Sequence, residues 1–181
     1  MFRSLSLALA LVLTPAPSPV QVPPDAIGPV EDLVLPVEDI VGEVESMDGA
    51  ESETKQGRQV TVALTSDVLF ALDKWRLTPK ARKRLVDVAA KVEAEGAGGV
   101  VRIGGHTDDQ GSDAYNLVLS RRRAQAVRAA LAPLLGGGNV TLQAAGYGET
   151  RPKLPNLVEG RPVERNRAKN RRVEIVFTAK Q

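Results

Sequence analysis

Between residues 59 and 178 the spacing of apolar residues switches between two and three-to-four, and this switching confines the chain to a narrow set of folds. Val60, Val62 and Leu64 alternate as a half-buried strand. So do Val101 with Ile103, Val140 with Leu142 and Ala144, and Val173 with Ile175 and Phe177. Two stretches with helical spacing lie among them. The first opens at Thr78-Pro79, a cap followed by proline at the first helical position; it buries Ala81, Leu85, Val88, Ala89 and Val92 and stops at Gly96. The second runs from about 114 to 135, and a further helical turn is expected at 165–169. The order β-α-β-α-β-β predicts an α+β fold, a two-layer sandwich whose small mixed sheet carries both helices on one face. The last two strands are either adjacent or separated by insertion of the final strand. Residues 104–113 then form a polar loop at a strand end, where functional loops gather.

Charge is segregated along the chain. Residues 17–55 hold ten acidic side chains against Lys55, whereas residues 56–181 hold 22 basic and 12 acidic ones. Such polarity suggests an anionic partner, or an acidic segment and a basic domain that screen each other. Residues 1–16 read as an export signal: Arg3 precedes the apolar run from Leu5 to Leu13, too short to span a bilayer. Residues 17–55 read as an acidic linker with prolines at 17, 19, 23, 24, 29 and 36. Within it Pro29-Val30-Glu31-Asp32-Leu33-Val34-Leu35 is repeated as Pro36-Val37-Glu38-Asp39-Ile40-Val41-Gly42 and, degraded, as Glu43 to Gly49. Its apolar spacing suits amphipathic helical turns, interrupted at Pro36. The repeat, residues 29–49, is either a mobile spacer or an apolar docking segment for a protein partner, for self-association or for the domain's own surface. The folded domain is placed at 56–181.

The absence of cysteine excludes a disulfide scaffold, thiolate metal sites and thiol catalysis in these residues, and no cysteine-linked lipid anchor is expected. One histidine, His106, cannot build a multi-histidine zinc centre. Six aromatic residues are few for a protein that stacks nucleic-acid bases. No cofactor, metal or nucleic-acid partner is expected, and no transmembrane span.

The second helix carries the most informative geometry. At roughly 100° per residue, Leu117, Leu119, Ala124, Val127, Ala130 and Leu131 fall in one apolar arc. Asn116, Ser120 and Arg123 lie in the middle of that arc, while Arg121, Arg122, Gln125 and Arg128 turn toward water. An inward arginine keeps its proton, and an unpaired buried charge costs several kcal/mol. Asp108 and Asp109, in the loop just before, offer the carboxylate. Either Arg123 and Asp108 pair to pin the loop, or they line a slot left partly open whose two charges match a zwitterionic ligand.

The motifs themselves have a family likeness. Ser66-Asp67-Val68-Leu69-Phe70 with Asp73-Lys74 and Leu77-Thr78-Pro79 resembles the opening of the OmpA-like peptidoglycan-binding domain. Gly105-His106-Thr107-Asp108, Gly111-Ser112, Tyr115-Asn116, Leu119 to Ala124, Gly146-Tyr147-Gly148-Glu149 and Asn170 to Ile175 follow in the family's order, over roughly 60–178. The resemblance implies noncovalent binding of the wall stem peptide at its diaminopimelate residue. It implies Asp108 for the ammonium, Arg123 for a carboxylate and Asn116 between them, with Thr107 and Asp73 in the same set. One arginine of the last motif also approaches the ligand, and Arg172 is favoured over Arg171. The sequence departs from the family at Asp73, where relatives often carry asparagine, and over 150–164. The segment before the domain is too short for the membrane barrel of some relatives. An exported protein of the wall or periplasm is expected, a binder and not an enzyme. The rival readings are a wall hydrolase built on His106, Asp108 and Asp109, for which no complete acid–base or metal set can be assembled, and a nonspecific polyanion binder resting on the basic domain.

Overall fold

The computed structural model describes residues 41–136 and 139–181. The signal segment, the first 24 residues of the linker and nearly all of the first two repeat copies lie outside the described residues.

The expected β-α-β-α-β-β core is present. It comprises β3 (Gln59–Thr65), α2 (Pro79–Glu95), β4 (Gly99–Gly105), α3 (Asp113–Leu135), β5 (Val140–Gly146) and β8 (Arg172–Thr178). Short elements decorate it: α1 (Ser66–Leu69) after β3, then a hairpin of β6 (Leu157–Val158) and β7 (Arg161–Pro162), and α4 (Glu164–Asn170). The last strand is inserted. β8 lies between β3 and β4, antiparallel to both, and β4 pairs in parallel with β5 through the α3 crossover. Val60, Val62, Leu64, Val101, Ile103, Val173, Ile175 and Phe177 on one sheet face meet Leu85, Val88, Val92, Val127 and Leu131 of the two helices in a single apolar cluster. Burying each such side chain contributes roughly 1.5–3 kcal/mol. Thr78 caps α2 by accepting the Ala81 N–H at 3.0 Å, with Pro79 following it, as the sequence predicts.

The linker boundary needs correction. Residues Gly42–Glu45 (β1) and Glu51–Gln56 (β2), assigned above to the linker, form a meander that pairs with β3 and extends the sheet to six strands, in the order β1-β2-β3-β8-β4-β5. The third repeat copy is therefore strand and turn, not a helical turn. These strands bury few apolar groups, so they show no alternation to read. Charge holds them instead: Glu43 pairs with Lys153, Glu45 with Lys169, Asp48 and Glu51 with Arg84, and Glu53 with Lys91. Over these residues the acidic segment screens the basic domain.

Two glycines set the distance between α3 and the sheet. A Cβ on Gly105 would come within 2.2 Å of the Ser120 carbonyl oxygen, and one on Gly146 within 2.3 Å of the Arg121 nitrogen. Close approach brings the first turns of α3 against the loop that leaves β4.

Candidate functional site

The loop after β4 is fixed from both sides. The His106 N–H donates to the Arg172 carbonyl and the Thr107 N–H to the Gly148 carbonyl, both at 2.9 Å, which carries the β4 edge past the last strand. Asp108 accepts the Gln110 N–H at 3.2 Å, and Ser112 caps α3 by accepting the Tyr115 N–H at 3.3 Å. Asp109 is gripped in a fork by Arg167 of α4, at 2.8 and 3.1 Å. Together these place Thr107 and Asp108 on the floor of a cleft of about 190 Å³. Asp67 of α1 with Leu72 and Asp73 of the α1–α2 loop forms one wall; Tyr115, Asn116, Leu119 and Arg123 of α3 form another, and Glu164 and Arg171 complete the lining.

Arg123 is 5% exposed, as the helical arithmetic required, together with Asn116 and Ser120. Leu117 departs from that arithmetic: it lies at the arc's margin and is exposed, while Leu135 completes the buried stripe. Arg123 and Asp108 do not pair. The Arg123 Nε donates to the Lys74 carbonyl at 3.0 Å, and the guanidinium carbon lies 5.3 Å from the Phe70 ring centroid. Among the described residues Arg123 forms no ion pair. Burial pulls its pKa below the usual arginine value, against the more distant pull of Asp67 and Asp73. A charge so placed is held ready for an anion.

Another group of the same cleft has the reverse imbalance. Arg171 bonds Asp108 at 2.7 Å and Glu164 at 2.9 Å, and lies 3.4 Å from Asp67. Burial lowers the Arg171 pKa, but the bonds to Asp108 and Glu164 outweigh it and the net shift is upward. Three carboxylates share one guanidinium, which leaves negative charge in excess. The cleft thus carries charges of both signs: a guanidinium without an ion pair among the described residues at Arg123, and surplus carboxylate around Asp108 and Asp67.

Asp108, Arg123, Asn116, Thr107 and Asp73 all line this one cleft. The Asn116 side-chain amide donates to the Asp108 carbonyl at 3.3 Å and to Glu149 at 2.7 Å, tying α3 to the loop. The Thr107 hydroxyl is buried and has no hydrogen-bond partner among the described residues. Asp73 sits at φ 55°, a left-handed conformation that both aspartate and asparagine tolerate, so the departure from asparagine preserves the turn.

Arg172 is not in the cleft. It points to the sheet face away from the helices, 2.7 Å from Glu174, with carbonyl bonds to Asn170 and Arg151. Burial pushes the Glu174 carboxyl up, but His106 and Arg172 beside it outweigh that and hold it at about 2. The cleft arginine is Arg171, and strand alternation carried the signal. Val173, Ile175 and Phe177 face the helices, so Arg172 and Glu174 must share the other face. Tyr115, Glu164 and Gln110 also line the cleft without having been singled out, and Glu164 lies in the stretch without a matching motif. His106 is buried, stacked on Tyr147 at 5.2 Å between centroids, and 3.5 Å from Glu174. Among the described residues no group of three or more histidine, cysteine, aspartate or glutamate side chains is arranged to hold a metal.

Comparison with known proteins places the chain in a family. The OmpA family model matches residues 69–171. The chain is 36% identical over 130 residues to the peptidoglycan-associated lipoprotein of Pseudomonas aeruginosa, covering 72% of this chain and 70% of that one. It is 39% identical over 121 residues to outer membrane porin F of Pseudomonas fluorescens, covering 65% of this chain and only 34% of the porin. Among solved structures, the cell wall anchor of the T6SS from Pseudomonas aeruginosa superposes with a TM-score of 0.60 at 27% identity, covering 74% of this chain and 90% of the anchor. With a family match over more than half its length, the chain belongs to the OmpA family.

Proposed function

We propose that this protein binds peptidoglycan noncovalently, taking the diaminopimelate residue of the stem peptide into the cleft, and so tethers itself to the wall of the cell envelope as an exported, non-enzymatic protein. The carrying observation is the buried Arg123, without an ion pair among the described residues, lining the same cleft as the surplus carboxylates around Asp108. Diaminopimelate ends its side chain in an ammonium and a carboxylate on one carbon. Arg123 takes the carboxylate through its free guanidinium nitrogens, and Asp108, with Asp67 and Glu164 nearby, takes the ammonium. The unpartnered Thr107 hydroxyl supplies a further bond, and Asn116 holds the loop in register. The relative named for peptidoglycan association and the structure titled as a cell wall anchor support the reading.

The test is binding of the full chain to stem peptides carrying diaminopimelate or lysine at the third position. Lysine lacks the distal carboxylate, so the lysine peptide is expected to bind about a hundredfold more weakly. Folded Arg123→Ala should erase that preference, and Asp108→Ala should weaken the diaminopimelate peptide to a similar degree. Equal binding of both peptides by all three proteins, vanishing at high salt, would instead identify a nonspecific polyanion binder.

A further inference from the structure

We propose that a second subsite adjoins the cleft: a groove centred on Trp75 that takes the sugar strand of the same wall polymer. This rests on the reading of the cleft given above. Arg122 and Arg123 are consecutive on α3, about 100° apart around the helix. One enters the cleft, and the other lies over the Trp75 ring, 4.6 Å from its centroid. The opposing loop is shared in the same way, because the Lys74 carbonyl holds Arg123 and Trp75 is the next residue. Cleft and groove therefore stand back to back on one helical turn and one loop.

The groove is open, about 610 Å³, with Ala126, Ala129 and Ala130 as a low floor and Arg76 and Arg82 at its sides. Arg76, Arg82 and Arg122 form no ion pair among the described residues, as is true of most arginines there, so their charge is available at the groove. Trp75 remains 42% exposed although an indole gains from burial. A flat apolar ring among unpaired cations fits a ligand with apolar ring faces and negative charge. A glycan strand bearing stem peptides has both: the C–H faces of its sugars stack on the indole, and the carboxylates of neighbouring stems meet the arginines.

Trp75 is the single tryptophan of the chain, so tryptophan emission reports on this groove alone. Affinities of the full chain for a diaminopimelate stem peptide and for the same peptide attached to its disaccharide are measured by titration calorimetry, with tryptophan emission followed in parallel for the chain that keeps Trp75. The sugar-bearing ligand is expected to shift the emission and to bind about tenfold more tightly than the bare peptide. Trp75→Ala should remove that tenfold and keep the affinity for the bare peptide. Arg82→Gln, on the exposed face of α2, should reduce the same gain and serves if Trp75→Ala does not fold. Equal affinity for the two ligands with unchanged emission overturns the groove, as does a Trp75→Ala variant that keeps the full sugar gain. Should the bare peptide fail to bind while the sugar-bearing ligand still shifts the emission, the cleft reading falls and the groove stands. Binding of neither ligand overturns both.

Discussion

Arg123 and Arg172 are buried to the same degree, 5% and 6% exposed, yet the protein treats them in opposite ways. Arg172 has a carboxylate at 2.7 Å and two backbone carbonyls, which satisfies both its charge and its donors. Arg123 has one carbonyl and an open cleft in front of it. Depth of burial therefore says little about the role of an arginine here; the partner decides. A paired arginine is part of the architecture, and an unpaired one stores an interaction for a ligand at some expense of stability.

The largest expected effect tests the architectural member. Arg172→Ala leaves Glu174 without its guanidinium on a half-covered sheet face and should destabilise the fold by about 3 kcal/mol, read as a lowered denaturant midpoint. Binding by the folded fraction should persist. Glu174, with His106 and Arg172 beside it, also sets an acid limit. Glu174 titrates at about 2 in the folded protein against an ordinary 4.5, so the native state holds fewer protons than the unfolded one. Its stabilisation, roughly 3 kcal/mol, is complete above about pH 4.5 and is lost as pH falls through about 2. Equilibrium unfolding between pH 5 and 2 should show this slope in the wild type and a flatter one in Arg172→Ala.

Arg123 should behave in reverse. Arg123→Met removes an unpaired charge and keeps an apolar stem beside Phe70, so stability should rise by about 1 kcal/mol while stem-peptide binding is lost. A clear fall in stability would show that Arg123 is architectural after all, and the contrast would collapse. The smallest effect is expected at the β1–β2 meander. Lys153→Ala breaks the exposed pair with Glu43 and should cost about 0.5 kcal/mol or less, vanishing at high salt.

Much of the core was legible because burial leaves a periodic trace. Every residue expected on the buried face of α2 is there, and Gly96 falls at its end as expected. The cleft was legible in part for the same reason: a charge at an apolar helical position, Arg123, is visible without coordinates. Choosing Arg172 over Arg171 ignored a trace that was present, the alternation of β8. The β1–β2 strands left no trace. Glu43, Glu45, Glu51 and Glu53 read as solvated acids, and nothing local separates acids that face water from acids that face Lys153, Lys169, Arg84 and Lys91.

The sequence by itself determined the order of the six core elements, most of the buried faces, and the presence of a polar triplet, Asn116, Ser120 and Arg123, on the core side of α3. Periodicity encodes these, because each residue's burial depends on its own element. Pairings between distant segments are not local properties. Only the tertiary structure decided that β8 inserts between β3 and β4, that Asp108 goes to Arg171, and that Arg123 is left free. Those outcomes depend on which of several nearby charges can reach one another once Gly105 and Gly146 let α3 close against the sheet.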